Sequence, residues 1–385
     1  MKKNRNIIIL SIFGFLLYSV LNFGHPVTPA FLDNNNIDER YFGILFSSMA
    51  FSLTLFSPFW GNKGDSYGRK YIISIGIIGY GIGQLLFGYG NNILIILIGR
   101  VVSGVFAAGI FSNLIASFSE VSNDQTRSRN ISIITSISML AAAIGYYLGG
   151  KLGMIFSPST TLIIQGYLAI IIGLSILILY PKTAVVQTRR KSFIKNLSLV
   201  KTIDEHIIYF MIVVLLWTFA KNNVSKYFDV FLNNLGFTSV EIGTFIMITG
   251  IVGALLTMIF IPYLTKKIEL LKLLKFILIL IIITLVLTFA IPNRTFLFIS
   301  YIVNSSLTVM YLTVEQTYIS KNIKTNYGAI IGVRESFKAI GLVSGPLIVT
   351  MIFNEINSYV FYFNSLMFLL ALIILSIFIN IRKNN

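Results

Sequence analysis

The sequence predicts an all-α integral membrane protein with twelve transmembrane helices in two six-helix, pseudo-symmetric bundles. Of its 385 residues, 56% are hydrophobic and only 11% are charged, whereas an ordinary soluble domain carries about 25% charged residues. About twelve apolar stretches each reach the ~20 residues that a helix needs to cross a bilayer. Stretches such as 273–290 do not alternate between apolar and polar residues, so they favour helices over the strands of a membrane barrel.

The twelve expected helices follow one another along nearly the whole chain. We interpret the basic start of the chain and the apolar run behind it as a retained first helix. The reason is that the run continues past ~20 residues without a small-residue cleavage site. The expected helices cover 6–32, 40–61, 71–89, 92–118, 130–153, 161–180, 206–232, 240–263, 272–290, 295–319, 328–353 and 359–381.

The distribution of basic residues predicts how these helices are oriented. The chain has a formal net charge of +16 and contains 30 lysines and arginines. If the N-terminus lies inside the cell, most of these cations fall in the inner connections, as the positive-inside rule requires. We therefore expect a multi-pass protein of the plasma membrane with both termini cytoplasmic. Its basic charge then serves orientation in the lipid bilayer, and no nucleic-acid partner is expected.

The longest polar segment divides the chain. Residues 181–205 are basic and contain no apolar run, so we expect a cytoplasmic linker there. The division leaves one six-helix bundle over 1–180 and a second over 206–385.

The two bundles resemble each other with an offset of 200 residues. Phe-Leu-Asp-Asn at 31–34 aligns with Phe-Leu-Asn-Asn at 231–234 without a gap. The same register aligns Asn22 with Asn222, Gly43 with Gly243, and Gly145 with Gly345. A parallel repeat of this kind favours a transport site near the bilayer midplane, at the interface of the two halves.

Several kinds of site are disfavoured by the residues themselves. The chain contains no cysteine, and its two histidines, His25 and His206, are far apart in sequence. We therefore expect no metal and no cofactor. The chain has no Walker-type phosphate loop, so ATP is not the expected driving force. No nucleophile–base arrangement stands out, and we expect no enzyme activity.

Four short motifs indicate the kind of membrane protein. The segment 61–70 fits G-x-x-x-D-x-x-G-R-K, Arg100 opens an R-x-x-x-G pattern, 25–29 contains P-x-x-P, and 145–150 reads Gly-Tyr-Tyr-Leu-Gly-Gly. These motifs resemble those of the major facilitator superfamily and, within it, the twelve-helix drug:proton antiporter group. The resemblance spans the whole chain in architecture. One departure is Tyr146, which stands where that group has proline.

The connection between the second and third helices is expected to form an inner gate. Gly61 and Gly68, with Gly64, allow a tight turn. The resemblance implies that Asp65 lies near the start of the eleventh helix, around 326–328, and that Arg69 pairs with Glu120. The alternative is that Arg69 and Lys70 only enforce topology. The glycines of the fifth and eleventh helices permit close helix approach, either as bending seams or as plain packing. The expected gating residues are Gly61, Asp65, Gly68, Arg69, Lys70, Glu120, Gly145, Gly149, Gly150, Gly345 and Pro346.

Charges inside apolar runs are costly, so they mark candidate proton-coupling groups. Arg100 in the fourth helix is one, with snorkelling to the headgroups as the alternative. Glu315 lies on a polar face of the tenth helix, with an ordinary salt bridge to the start of the eleventh as the alternative. The expected proton-coupling residues are Arg100, Glu315, Arg334 and Glu335. Asp229, with Lys221 and Lys226, lies toward the outer end of the seventh helix, where we expect the outer vestibule. A structural role is favoured there over a functional one.

The resemblance also implies that the first, fourth, seventh and tenth helices line a central cavity. Aromatic rings there suit apolar or cationic ligands. The expected cavity residues are Tyr18, Asn22, His25, Trp217, Asn222, Asn304, Thr308 and Tyr311.

These patterns together predict a secondary active transporter that works by alternating access. The favoured function is proton-coupled efflux of amphipathic small molecules by a monomer, with protons as the coupling ion. One alternative is a carrier of the same fold for a specific solute such as a sugar, peptide or metabolite. A second is a non-transporting membrane sensor.

Overall fold

The computed structural model describes residues 2–121, 127–181, 205–322 and 327–384. These ranges are helical throughout apart from short connections, and they contain no strand. Twelve of the helices are long and apolar enough to cross a membrane, which confirms the predicted class and the number of spans. The helices are α1 Lys2–Asn22, α2 Thr28–Asn34, α3 Tyr41–Tyr67, α4 Arg69–Tyr89, α5 Ile93–Glu120, α6 Arg127–Ile155, α7 Pro158–Leu179, α8 Glu205–Asn234, α9 Ser239–Lys267, α10 Leu270–Ala290, α11 Arg294–Asn322, α12 Tyr327–Ile352 and α13 Ser358–Asn384.

The chain forms two compact units. The first comprises Met1–Phe193 with Leu235–Met247, and the second comprises Ile194–Asn234 with Ile248–Asn385. The start of α9 therefore groups with the first unit and the rest of α9 with the second. Residues 182–204 of the predicted linker lie outside the described residues, and the division of the chain at 181–205 stays a prediction.

In the first unit, α4 packs against α5 and α7, α3 packs against α5, and α1 packs against α6. Aliphatic and aromatic side chains from α1, α4, α5 and α7 make a continuous buried core. Glycines let α4 and α5 come close: a side chain at Gly83 would overlap Ser103 and the backbone of Gly99. Close approach through small residues is the usual way in which membrane helices associate.

In the second unit, α8 packs against α12 and α13, and α10 packs against α11 and α13. Its core is rich in aromatic rings. Phe228 stacks on Tyr301 with 3.5 Å between ring centroids, and Phe289 stacks on Phe361 at 3.7 Å. These rings join α8, α10, α11 and α13 into one cluster.

The first membrane span is not the single helix predicted over 6–32. It ends at Asn22 and resumes at Thr28, because Pro26 cannot donate a backbone hydrogen bond and its ring clashes with the preceding turn. The intervening residues form tight turns, with His25 N donating to Asn22 O at 3.4 Å. The Thr28 hydroxyl donates to Gly24 O at 2.6 Å, which satisfies one carbonyl left over by the break.

The expected turn over 61–70 is also shorter than predicted. The helix α3 continues through Gly61 and Gly64 to Tyr67, and only Gly68 has the positive φ, 92°, of a turn residue. Gly64 serves packing instead, since a side chain there would overlap the amide of Asn113 on α5. Packing against a neighbouring helix stabilises a helical segment that contains glycines. The turn-forming role predicted for Gly61 is therefore wrong.

Candidate functional site

A buried ion network joins α3, α4 and α5 in the first unit. Arg69 donates to Asp65 at 2.5 Å, to Asn113 at 3.1 Å, and to Glu120. Gly68 is the single turn residue between α3 and α4, and Arg69 is the first residue of α4. The side chains of Asp65 and Arg69 are 1% and 7% exposed, so the charges compensate one another away from water. Lys70 is buried beside them.

The expected pair of Arg69 and Glu120 is thus present, and Asn113 is a member that the sequence did not indicate. Its amide also donates to Trp60 O at 3.1 Å and to Gly109 O at 2.9 Å. The contact predicted between Asp65 and residues 326–328 stays a prediction. Asn326 and the side chains at 327–328 lie outside the described part of the chain.

A glycine seam brings α6 against α1. A side chain at Gly145 would overlap Ser19 O, and one at Gly149 would overlap Phe23 O. These glycines share one face of α6, as the spacing of four predicts. Gly150, on a neighbouring face, meets the backbone of Ser239 at the start of α9 in the same way.

An equivalent seam brings α12 against α8 in the second unit. A side chain at Gly345 would lie 3.1 Å from Phe219 O, and the Tyr227 hydroxyl donates to Pro346 O at 2.8 Å. Gly345 and Phe219 lie 200 positions after Gly145 and Ser19. The 200-residue offset found in the sequence therefore also relates two contacts between helices. Matches between single residues could not show this.

Arg100 is buried in α5 at 4% exposed. Its guanidinium lies over the ring of Phe87, 3.9 Å from the centroid, and 5.3 Å from that of Phe46. Its hydrogen bonds are long: 3.4 Å to the Thr28 hydroxyl and 3.9 Å to the Met49 sulfur. It forms no ion pair within the described ranges.

The predicted cavity residue His25 belongs to an aromatic column beside Arg100. Its ring stacks on Phe46 at 5.5 Å and on Tyr146 at 5.2 Å. Tyr146, the departure from the antiporter motif, is therefore one end of this column. The ring of Tyr18, on α1, lies 5.8 Å from that of Phe111 on α5.

A second ion network joins α11 and α12. Arg334 donates to both oxygens of Glu315, at 2.8 and 3.0 Å, and also to Glu335. Lys338 donates to Glu335 at 3.2 Å. The structure therefore brings together three of the four residues predicted for proton coupling, and the pairing is the salt bridge weighed as the alternative for Glu315.

Trp217 and Tyr311 stack with 5.1 Å between ring centroids. Both rings are buried, and neither the indole N–H nor the hydroxyl has a hydrogen-bond partner among the residues that the structure describes. These two predicted cavity residues are thus brought together from different helices, α8 and α11.

The amides and hydroxyl of the other cavity residues are engaged locally. They make the bonds Asn22 to Tyr18 O at 2.7 Å, Asn222 to Leu342 O at 3.3 Å, Asn304 to Ile281 O at 2.9 Å, and Thr308 to Ser305 O at 2.7 Å.

The family model described as Major Facilitator Superfamily matches residues 7–294. The chain belongs to the major facilitator superfamily. It is therefore a membrane transporter of small molecules rather than an enzyme.

Relatives of this transporter cover nearly the whole chain. It is 26% identical to multidrug resistance protein 1 of Bacillus subtilis (strain 168) over 382 residues, 94% of this chain and 93% of the relative. It is 23% identical to the quinolone resistance protein NorA of Staphylococcus aureus (strain COL) over 355 residues, 91% of this chain and 90% of that protein. Among solved structures, the nucleoside transporter NupG superimposes with a TM-score of 0.75 at 14% identity, covering 98% of this chain and 99% of that one.

Asp229 is a candidate site residue for which the sequence analysis favours a structural role. It is 1% exposed on α8, and neither carboxylate oxygen accepts a hydrogen bond from a described residue. The charged and titratable groups that face it are Lys226 on α8 and Tyr301 on α11. The available signal is an acid inside an apolar run, which by itself marks a functional candidate in a membrane.

Proposed function

We propose that the transporter couples proton movement to the efflux of amphipathic small molecules. The named relatives, a multidrug and a quinolone resistance protein, support efflux of drug-like compounds. The observation that carries proton coupling is Asp229, a buried membrane acid whose oxygens have no hydrogen-bond partner among the described residues. Such a carboxylate can gain or lose a proton without breaking a salt bridge. Glu315, by contrast, must first leave Arg334.

The cycle that we propose is alternating access between two halves, 1–180 and 206–385, in the plasma membrane with both termini cytoplasmic. The monomer is the functional unit. The network of Asp65, Arg69 and Glu120 acts as an inner latch that tethers α3, α4 and α5. Because Arg69 donates to both acids, opening the latch needs a competing partner for Arg69 or Asp65.

The glycine seams serve the same cycle. Gly145 and Gly149 let α6 lie directly on the α1 backbone, where small shifts meet no side chain. Gly345 lets α12 lie close to the α8 backbone in the same way. Pro346 weakens α12 locally so that this helix can bend.

The test is dye movement in proteoliposomes under an imposed pH gradient. We expect the wild-type protein to move a lipophilic cationic dye faster when the gradient is present. Asp229→Asn should lose this acceleration while keeping dye exchange without a gradient, because asparagine has nearly the same shape as aspartate but exchanges no proton. Glu315→Gln is the matched control and should keep the acceleration.

Two results contradict the proposal. Wild-type dye movement that ignores the gradient rules out proton coupling. An undiminished gradient response in Asp229→Asn, together with a lost response in Glu315→Gln, moves the coupling role to Glu315.

A further inference from the structure

Arg100 is a buried and poorly compensated cation of the first unit. A guanidinium has five N–H donors, and among the residues that the structure describes only one oxygen, that of Thr28, lies within hydrogen-bond reach, at 3.4 Å. The Nε–H is buried with no partner among the described residues. Two aromatic faces offset part of the charge, but a cation–π contact supplies no hydrogen-bond acceptor.

The nearby sequence offers no counter-ion. The chain has no acidic residue before Asp33, which is exposed at the end of α2. The buried acid of the first unit, Asp65, is already bonded to Arg69. A buried charge that lacks a partner is strongly unfavourable, and Arg100 therefore lies in a site that is incomplete without an anion.

We propose that Arg100 binds an anionic oxygen, in particular the carboxylate of a transported substrate. Thr28 helps to position the guanidinium by accepting from it, because its single O–H already donates to Gly24 O. The inference rests on the proposed function and specifies that its amphipathic substrates include zwitterionic and anionic ones. Arginine suits this task because its planar fork can bond both oxygens of one carboxylate. Phe87 and Phe46 exclude water from the guanidinium, so such a bond forms in a low-dielectric environment where it is strong.

The position of Thr28 supports this assignment. It is the first residue after the break in the first membrane span, and its hydroxyl donates to Gly24 O. Non-helical backbone within a membrane is found where it is buried in protein or lines a polar cavity. The column of His25, Phe46 and Tyr146 begins beside the same guanidinium and offers aromatic surface next to a bound carboxylate.

The first test uses two dyes that differ at one group: a rhodamine free acid and its methyl ester. In proteoliposomes, Arg100→Gln should lower transport of the free acid by about tenfold or more, because a charge-assisted hydrogen bond is lost. Transport of the ester should change by less than about twofold. Arg40→Gln, which removes an exposed arginine paired with Asp38, is the control and should affect neither dye.

The second test is thermal unfolding of the purified protein in detergent. If Arg100 is uncompensated, Arg100→Gln should raise the Tm in the absence of ligand, because replacing a poorly paired buried charge is often stabilising. Benzoate should raise the Tm of the wild-type protein and leave that of Arg100→Gln unchanged. Benzamide, which has the same shape without the charge, should do neither.

The outcomes separate this inference from the function on which it rests. Equal loss of both dyes in Arg100→Gln, a lower Tm in that variant, or wild-type transport of neither dye overturns the anion site. A rise in Tm with chloride that abolishes the benzoate effect assigns the site to an inorganic anion and overturns the substrate role. Transport of the ester alone under a pH gradient overturns the inference and leaves proton-coupled efflux standing. If Arg100→Gln loses transport of the free acid alone, but wild-type transport does not depend on the pH gradient, the anion site stands and proton-coupled efflux is overturned.

Discussion

The two units share a backbone seam and differ in the sign of the buried charge that has few hydrogen-bond partners among the described residues. In the first, α6 lies on α1 through Gly145 and Ser19. In the second, α12 lies on α8 through Gly345 and Phe219. Yet the poorly compensated buried group is a cation, Arg100, in the first unit and an acid, Asp229, in the second. The contrast teaches that helix packing can be kept in both halves of a repeat while the polar residues between the helices specialise.

The ion networks, unlike the glycine seams, do not recur at the 200-residue offset between the two units. Each has an arginine between a fully buried acid and a more exposed one: Arg69 with Asp65 and Glu120, and Arg334 with Glu315 and Glu335. They do not occupy corresponding positions, since Arg334 lies 265 residues after Arg69 rather than 200. Similar networks therefore arose at different places in the two halves, and their resemblance is chemical rather than inherited from the repeat.

The largest expected effect comes from removing either arginine. Arg334→Gln removes the guanidinium that donates to both oxygens of Glu315, and Arg69→Gln removes the guanidinium that donates to Asp65. Breaking a buried pair by removing one partner typically costs about 3–5 kcal/mol. We expect a loss of that order in the free energy of unfolding, measured by thermal or denaturant unfolding in detergent.

The control is the double variant Arg334→Gln with Glu315→Gln, which removes both charges and should recover most of the lost stability. If the single variant unfolds like the wild-type protein, the bond between Glu315 and Arg334 is not maintained in the membrane protein, and the chemical parallel between the networks is broken.

An intermediate effect should distinguish the two seams. A methyl group at Gly145 would overlap Ser19 O, whereas one at Gly345 would lie 3.1 Å from its nearest atoms. Overpacking a close contact costs about 1–3 kcal/mol. Gly145→Ala should therefore lower both the Tm and the transport rate more than Gly345→Ala does. Equal effects would mean that the seams have the same tolerance, and that only the charges separate the two units.

Much of the fold could be predicted from the sequence because membrane spans follow from local composition. Twelve runs of sufficient length and hydropathy fix twelve helices, whatever their neighbours are. The break at 23–27 had its signal in Pro26, yet an apolar run with a proline also fits a kinked helix, and the outcome depends on how the freed carbonyls are satisfied. Here the Thr28 hydroxyl satisfies one of them.

The site was less predictable, because pairing is a property of neighbours distant in sequence. Arg69 and Glu120 could be paired only through the resemblance to the family, and Asn113 between them gave no signal. The sequence likewise shows that Arg100 and Asp229 are charged. It does not show that the N–H groups of Arg100 and the carboxylate oxygens of Asp229 have so few hydrogen-bond partners among the described residues. Tyr301, which faces Asp229, lies 72 residues further along the chain.

The smallest expected effect concerns the outer acids of the two networks. The side chain of Glu335 is 49% exposed, whereas that of Glu120 is 17% exposed. Exposed ion pairs contribute about 0–1 kcal/mol, because water and salt screen the charges. Glu335→Gln should therefore change the free energy of unfolding by less than about 1 kcal/mol.

Glu120→Gln is the informative partner experiment. It should cost more than Glu335→Gln, since Glu120 is less exposed to water and its bond to Arg69 is lost, while the bonds of Arg69 to Asp65 and Asn113 remain. Raising the salt concentration should weaken the contribution of Glu335 more than that of Glu120. If Glu335→Gln proves the more costly and its cost is insensitive to salt, Glu335 is shielded from water in the working transporter, and the second network is as closed as the first.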